Sequence, residues 1–307
     1  MSSRRTRSLA VAAIVGALFA VSNPRTATAS VQATDDSGPV FDGIGPGVDY
    51  VPGVDPEADA RRALYTAYGE AVQGRLDASA LTEAVETFED TTGESVTEGA
   101  APIPELAKVT TGMVAGKAAT TAATTAHSLA VPYYSQGTDN NYCGPATAKM
   151  ILAWEGHNTS AYNPSHNNTE SRLATSDYLK TDLHGATNWG TKDMELGFDK
   201  FYGSNYLLQD DSPSVSSYVG TVVSHIDGFD APAVGTHEPA GGYHYNGHPA
   251  GQTIRHWLVV KGYTTNAVGT TYLDSSTSIW TGVDQQFNYG NSAFVPRYIT
   301  GYYGIAS

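Results

Sequence analysis

The sequence predicts an α+β fold, with helices early in each half of the chain and antiparallel strands towards its end. Three observations carry this. Leu64, Tyr68, Val72 and Leu76 recur at the spacing of one helix face, and an apolar run of helix length follows Cys143. From residue 232 onward, short β-type runs alternate with turn residues, the helix-then-strand order of an α+β domain with an antiparallel sheet. No 20–50-residue repeat points to a solenoid.

Residues 1–29 open on Arg4, Arg5 and Arg7, run through apolar residues from Leu9 to Val21, and end in Ala27-Thr28-Ala29. A basic start, a short apolar middle and a small-residue cleavage pattern make a secretory signal peptide, too short in its apolar part to span a bilayer. The expected location is therefore extracellular, with no membrane partner for the mature form.

Charge narrows the partners. The chain of 307 residues has 17 basic and 31 acidic side chains, a net −14; residues 1–29 hold four of the bases and no acid, so residues 30–307 stand at −18. Phosphate binding needs a basic face, which excludes nucleic acid, and anionic membranes are disfavoured on the same ground. The acidity reads instead as what keeps a secreted protein soluble.

After a Gly/Pro/Asp-rich lead-in, Asp55-Pro56-Glu57 has the signals of a helix start, and Leu81, Val85 and Phe88 mark a second short helix. Residues 30–90 thus read as an acidic helical region. Residues 91–128 are Thr/Ala-rich, with the near-repeat AATTAATTA at 118–126, and read as a linker. In 129–307, helices are expected from Cys143 to about Trp154, over Thr191–Phe201 and over Ser214–Ile226, with a polar stretch between His157 and Asp177. Strand-like runs are Pro232–Thr236, Arg255–Tyr263, Thr270–Leu273 and Phe294–Tyr298.

Cys143 is the single cysteine of an exported chain, so it forms no internal disulfide and stands as either a buried filler or a reactive thiol. Gly144-Pro145 follow it. Proline is favoured at the first helical position, which sets Cys143 at or just before a helix N-terminus, where the partial positive charge favours the nucleophilic thiolate. A thiolate hydrolase also needs a base, a group that orients the base, and oxyanion donors. His256 heads the run HWLVVKGY. Asp274 closes the run TTYLD 18 residues later and returns towards His256 if the two runs pair as neighbouring antiparallel strands; Asp284 is an alternative. Gln136, seven positions before Cys143, can offer its amide to the oxyanion beside the Cys143 N–H.

His237, Glu238, His244 and His248 fall within twelve residues, but not at the spacing of a helical HExxH or a finger motif, and EPAGGYHYNGHPAG is full of helix breakers. The stretch reads as a flexible loop bordering the cleft. No metal and no cofactor is expected.

With VPYYSQ around Gln136, YCGPA around Cys143, HWLVVKGY from His256 and LDSS around Asp274, the chain from about Leu129 to Ser307 resembles a C39-like peptidase domain of the papain-like cysteine peptidase superfamily. The resemblance implies a papain-like fold and a Cys143-His256-Asp274 triad with Gln136 in the oxyanion hole. Ser275 departs from the proline that often follows the family's Asp, and no cassette-transporter segments follow the domain. A secreted cysteine-type peptidase acting on a peptide or protein substrate is the function expected. A cell-wall peptide amidase or acyl transferase using the same triad is an alternative, as is a non-catalytic binding module on the same scaffold. Residues 30–128 are expected to be a removable pro-region giving intramolecular inhibition, its two helices packed over the cleft; a spacer or a docking arm for another surface is the alternative.

Overall fold

The computed structural model describes residues 39–47, 52–93, 96 and 125–307; the export signal expected at 1–29 and most of the linker expected at 91–128 lie outside them. Local chemistry sets each helix boundary. Asp55 caps helix α1 (Pro56–Val72), accepting from the N–H groups of Glu57 and Ala58, while Pro56 opens the helix and Glu57 and Asp59 complement its positive end. Asp77 caps α2 (Ala78–Thr92) in the same way. Leu64, Tyr68, Leu81, Val85 and Phe88 are buried in the hydrophobic core, as their spacing predicts, and Tyr65 is buried with them; Val72, the last residue of α1, and Leu76, beyond its end, are half-buried against the same core.

The polar stretch expected after the next helix contains short turns that periodicity does not reveal. Helix α3 (Cys143–Trp154) is followed by α4 (Glu170–Leu173) and α5 (Thr181–His184), each of four residues, and then by α6 (Asp193–Tyr202). Helix α7 (Val215–Asp227) is capped by Ser214 and is buried along most of its length. Helix α1 lies along α7, where Tyr65 Oη meets His225 Nε2 at 3.3 Å. Arg62 of α1 pairs with Asp210.

The sheet has eight strands: β1 (Val40–Asp42), β2 (His127–Ser128), β3 (Gln209–Asp211), β4 (Ala233–Glu238), β5 (Thr253–Tyr263), β6 (Gly269–Leu273), β7 (Gln286–Gly290) and β8 (Gly304–Ala306). Its main path is β3-β8-β4-β5-β6-β7, antiparallel at every pairing, as expected. Strand β5 is the centre. It pairs with β4 along its first half and with β6 along its second, and β1 joins the edge that β6 leaves open, running parallel to residues 253–255. Nearly every residue of β5 is buried, the pattern of a strand covered on both faces.

One predicted strand is corrected. Phe294–Tyr298 is not extended: α8 (Asn291–Phe294) runs into a wider helical turn over Val295–Ile299. Phe294, Val295, Tyr298 and Ile299 are buried while Pro296 and Arg297 are exposed, which is a helical period. Aromatic and β-branched content imitates a strand there, but tertiary burial follows the 3.6-residue repeat. Among the described residues no helix is long and apolar enough to cross a membrane.

Candidate active site

Helix α3 begins at Cys143 itself, and Pro145 is its third residue rather than its first. Proline is tolerated there because the N–H groups of a first turn have no intrahelical acceptor. Tyr142 supplies no side-chain cap, so the positive end of the helix is directed at the thiol. The residue after the thiol is glycine for a steric reason: a Cβ on Gly144 would lie 2.1 Å from Thr187 Oγ1. That close approach packs the start of α3 against the segment 187–189.

His256 stands on β5 opposite Thr236 of β4. Strand β6 pairs back along β5, with Leu273 opposite Val259, and so returns Asp274 towards the imidazole. His256 Nε2 and Asp274 Oδ1 are 2.9 Å apart, and both side chains are fully buried. The carboxylate is held from several sides. Ser276 donates to Oδ1 from its N–H at 2.9 Å and its hydroxyl at 2.6 Å, and Asn246 Nδ2 donates to Oδ2 at 2.9 Å.

Burial disfavours a charged imidazole at His256. The charges of Asp274 and Cys143, with the hydrogen bond His256 donates to Asp274, outweigh it and push the His256 pKa up to about 10. Burial likewise opposes the carboxylate of Asp274, yet the His256 charge and the bonds from His248 and His256 together hold it well below the usual carboxylate range. His256 therefore holds its proton more tightly than an ordinary histidine. Its Nε2 is taken by Asp274; Nδ1, which makes no hydrogen bond of ordinary geometry, is the nitrogen left for the sulfur.

Gln136 is buried and fixed on the same side. Its backbone N–H donates to Ser275 O at 3.0 Å, its amide nitrogen donates to Asp139 O at 2.8 Å, and its amide oxygen accepts from Ser275 Oγ at 3.1 Å. An amide nitrogen carries two protons, so one remains after the bond to Asp139. Ser275, where the resembled family often has proline, thus anchors Gln136. Asp284, the alternative acid, contributes its backbone carbonyl to Asn246 Nδ2 at 2.8 Å.

The histidine-rich stretch is corrected. It does not border the cleft as a flexible loop: Glu238 and His248 are buried behind Asp274. His248 Nε2 lies 2.9 Å from Asp274 Oδ2, and His248 Nδ1 lies 2.6 Å from Glu238 Oε1. Of the described residues, His248, His256 and Asp274 bring one potential ligand atom each within 4.8 Å of one another. The two histidines bond separate oxygens of Asp274, so the group is a hydrogen-bonded cluster built around the carboxylate.

A segment from the N-terminal region lies in the cleft. Strand β1 pairs with the start of β5, and Gly43 N–H donates to Arg255 O at 2.9 Å. On the opposite wall, Thr187 N–H donates to Gly43 O at 3.1 Å and Trp189 N–H to Ile44 O at 2.9 Å. Phe41 packs on Trp280 with ring centroids 4.7 Å apart, Ile44 is fully buried, and Arg255 pairs with Asp42 at 2.8 Å. A Cβ on Gly43 would stand 2.1 Å from Cys143 Sγ. The helices expected over the cleft are not what meets the thiol: α1 rests on α7, and β1 with Gly43 fills the groove.

Sequence reasoning missed His248 and Asn246 as partners of Asp274, Glu238 as the partner of His248 behind them, and Gly43 as the residue over the thiol. The signal for the first group was present as four ionisable residues within twelve. For Gly43, a three-residue strand in a Gly/Pro-rich stretch leaves no periodicity to read. The profile of the Peptidase_C39 like family matches residues 128–302. No curated protein and no solved structure matches the chain.

Proposed function

The chain belongs to the Peptidase_C39 like family, and from that membership we propose that it is a secreted cysteine peptidase hydrolysing peptide bonds through Cys143, His256, Asp274 and Gln136. One observation carries the proposal: His256, buried on β5, holds the Asp274 carboxylate at 2.9 Å from Nε2, with the Cys143 side chain close enough to raise its proton affinity. The Cys143 thiolate adds to the substrate carbonyl, forming the C–S bond, and the oxyanion is met by the Cys143 N–H and the second amide proton of Gln136. His256 passes its proton to the leaving amine as the C–N bond breaks. The neutral imidazole then takes a proton from water, which attacks the thioester and releases the acid and the Cys143 thiolate, restoring the starting pair. Asp274 keeps the ring oriented throughout.

The same proposal includes latency. Intramolecular inhibition by residues 30–128 is carried by residues 40–45, which cover the sulfur at Gly43 and bond both walls of the groove. The Gly43 carbonyl accepts from Thr187 N–H, not from the amide of Gln136, so the segment is bound without being held for attack. A tethered segment keeps a high effective concentration and so inhibits while attached.

Alkylation kinetics test the proposal without knowledge of the substrate. In a Gly43→Val chain, iodoacetamide is expected to label Cys143 rapidly even at pH 6, because the imidazolium sustains the thiolate. Adding His256→Ala should reduce that rate by roughly a hundredfold at the same pH. Slow labelling at pH 6 that His256→Ala does not change would favour the binding-module alternative.

A further inference from the structure

Behind the residues assigned to chemistry, buried charges continue in a line. Glu238, the last residue of β4, places Oε1 2.6 Å from His248 Nδ1; its Oε2 accepts from Tyr245 N–H at 3.0 Å and lies 3.1 Å from His244 Nδ1. The far nitrogen of His248, Nε2, is 2.9 Å from Asp274 Oδ2, whose other oxygen is 2.9 Å from His256 Nε2. The side chains of Glu238, His248, Asp274 and His256 are each fully buried. An ionised carboxylate only accepts hydrogen bonds, and an imidazole donates from both nitrogens only when it is charged. His248, with a carboxylate oxygen at each nitrogen, is therefore a cation.

We propose that His248, held as an imidazolium between Glu238 and Asp274, is a positioning residue of the peptidase site that aligns Asp274 on His256 and governs how readily His256 releases its proton. This rests on the peptidase reading of Cys143 and His256. The groups facing His248 are Glu238 from β4, Asp274 from the end of β6 and His256 from β5, with Ser276, Tyr245 and Trp280 completing its walls. His244 reaches it through Glu238, and Cys143 through His256. The rings of His248 and His256 are 5.6 Å apart, so the first cation opposes the second across the carboxylate they share. Burial lowers the proton affinity of His248, but the bonds and charges of Asp274 and Glu238 raise it above the ordinary histidine value.

The consequence is directional. Asp274 alone would hold the His256 proton too tightly for transfer to a leaving amine; a general acid works best when its pKa lies near the working pH. His248⁺ weakens that hold. Glu238⁻ offsets part of the His248 charge, so the two residues set His256 in opposite senses.

Side-chain ¹⁵N NMR of the histidines, recorded against pH in the full chain, reads this directly and needs no turnover. His248→Gln removes a cation and should move the His256 titration upward by roughly one unit, whereas Glu238→Gln removes an anion and should move it downward by a similar amount. Where peptide turnover is measured, the alkaline limb of kcat/KM should move with each. Near-ultraviolet circular dichroism identifies a variant that has lost its fold, and His248→Asn then replaces His248→Gln. Shifts in the same direction for the cation and anion removals, or no shift in folded variants, overturn the proposal. Correct NMR shifts without any peptide hydrolysis by the Gly43→Val chain would instead retire the peptidase reading and leave the coupling standing.

Discussion

Gly43 lies against Cys143 so closely that a side chain on the glycine would overlap the sulfur: a Cβ would stand 2.1 Å from Sγ. The thiol is thus buried under a residue with no side chain, and the hydrogen bonds of residues 43 and 44 to segments on either side keep that residue there. Since the chain has one cysteine, any thiol reagent reads this contact alone.

Gly43→Val should lift the segment from the thiol, because neither the short Cys143 side chain nor the backbone of Arg255 on the far side can give way. Labelling by a disulfide reagent is expected to accelerate at least roughly tenfold over the wild type, the effect of weakening the covered state by about 1.4 kcal/mol. Asp42→Ala should give a smaller acceleration, since Asp42 pairs with Arg255 and accepts from the N–H groups of Ile44 and Gly45. Equal labelling rates in all three chains would remove residues 40–45 from the account of latency.

Asp274→Asn should lower kcat on a cleavable peptide, measured in the Gly43→Val background, by roughly a hundredfold, less than the loss caused by His256→Ala. The amide can preserve one bond to the ring but not the charge that holds its proton. It also places an NH₂ group or a neutral carbonyl against His248. Turnover unchanged by Asp274→Asn would assign the orienting role elsewhere.

Much of the site was legible in residues 129–307. A lone cysteine before an apolar helix-length run marks the start of α3, and β5 and β6 announce themselves by β-branched and aromatic content, so the approach of Asp274 to His256 follows from strand pairing. Legibility fails where short elements depend on tertiary contacts. Strand β1 has three residues and exists only because β6 leaves an edge of β5 open beside His256. His248 is hidden among Gly and Pro, which mark turns but do not reveal that a turn is buried. Phe294–Tyr298 has the composition of a strand and the burial of a helix. Composition at that site carries less information than the face it buries.

A second pH response lies away from the cleft. Burial raises Glu155 to about 7 and Asp230 to about 6, and Tyr206 Oη donates to Glu155 at 2.9 Å. Both folded values lie above the ordinary unfolded ones, so the native state binds more protons in this range. These groups therefore favour folding as pH falls from about 8 to about 5 and oppose it above their folded values. Glu155→Gln should raise Tm at pH 8 and flatten its pH dependence between 8 and 5. A Tm that falls at pH 8 in this variant would contradict the assignment.

Peptide hydrolysis by the Gly43→Val chain, compared with the same chain carrying Cys143→Ala, tests the central claim most directly. Circular dichroism should be the same for both, since one small side chain at the cleft adds little to the fold. The account predicts turnover in the first and none in the second. Turnover that survives in the Cys143→Ala chain would show that the bond is cut by some group other than this thiol.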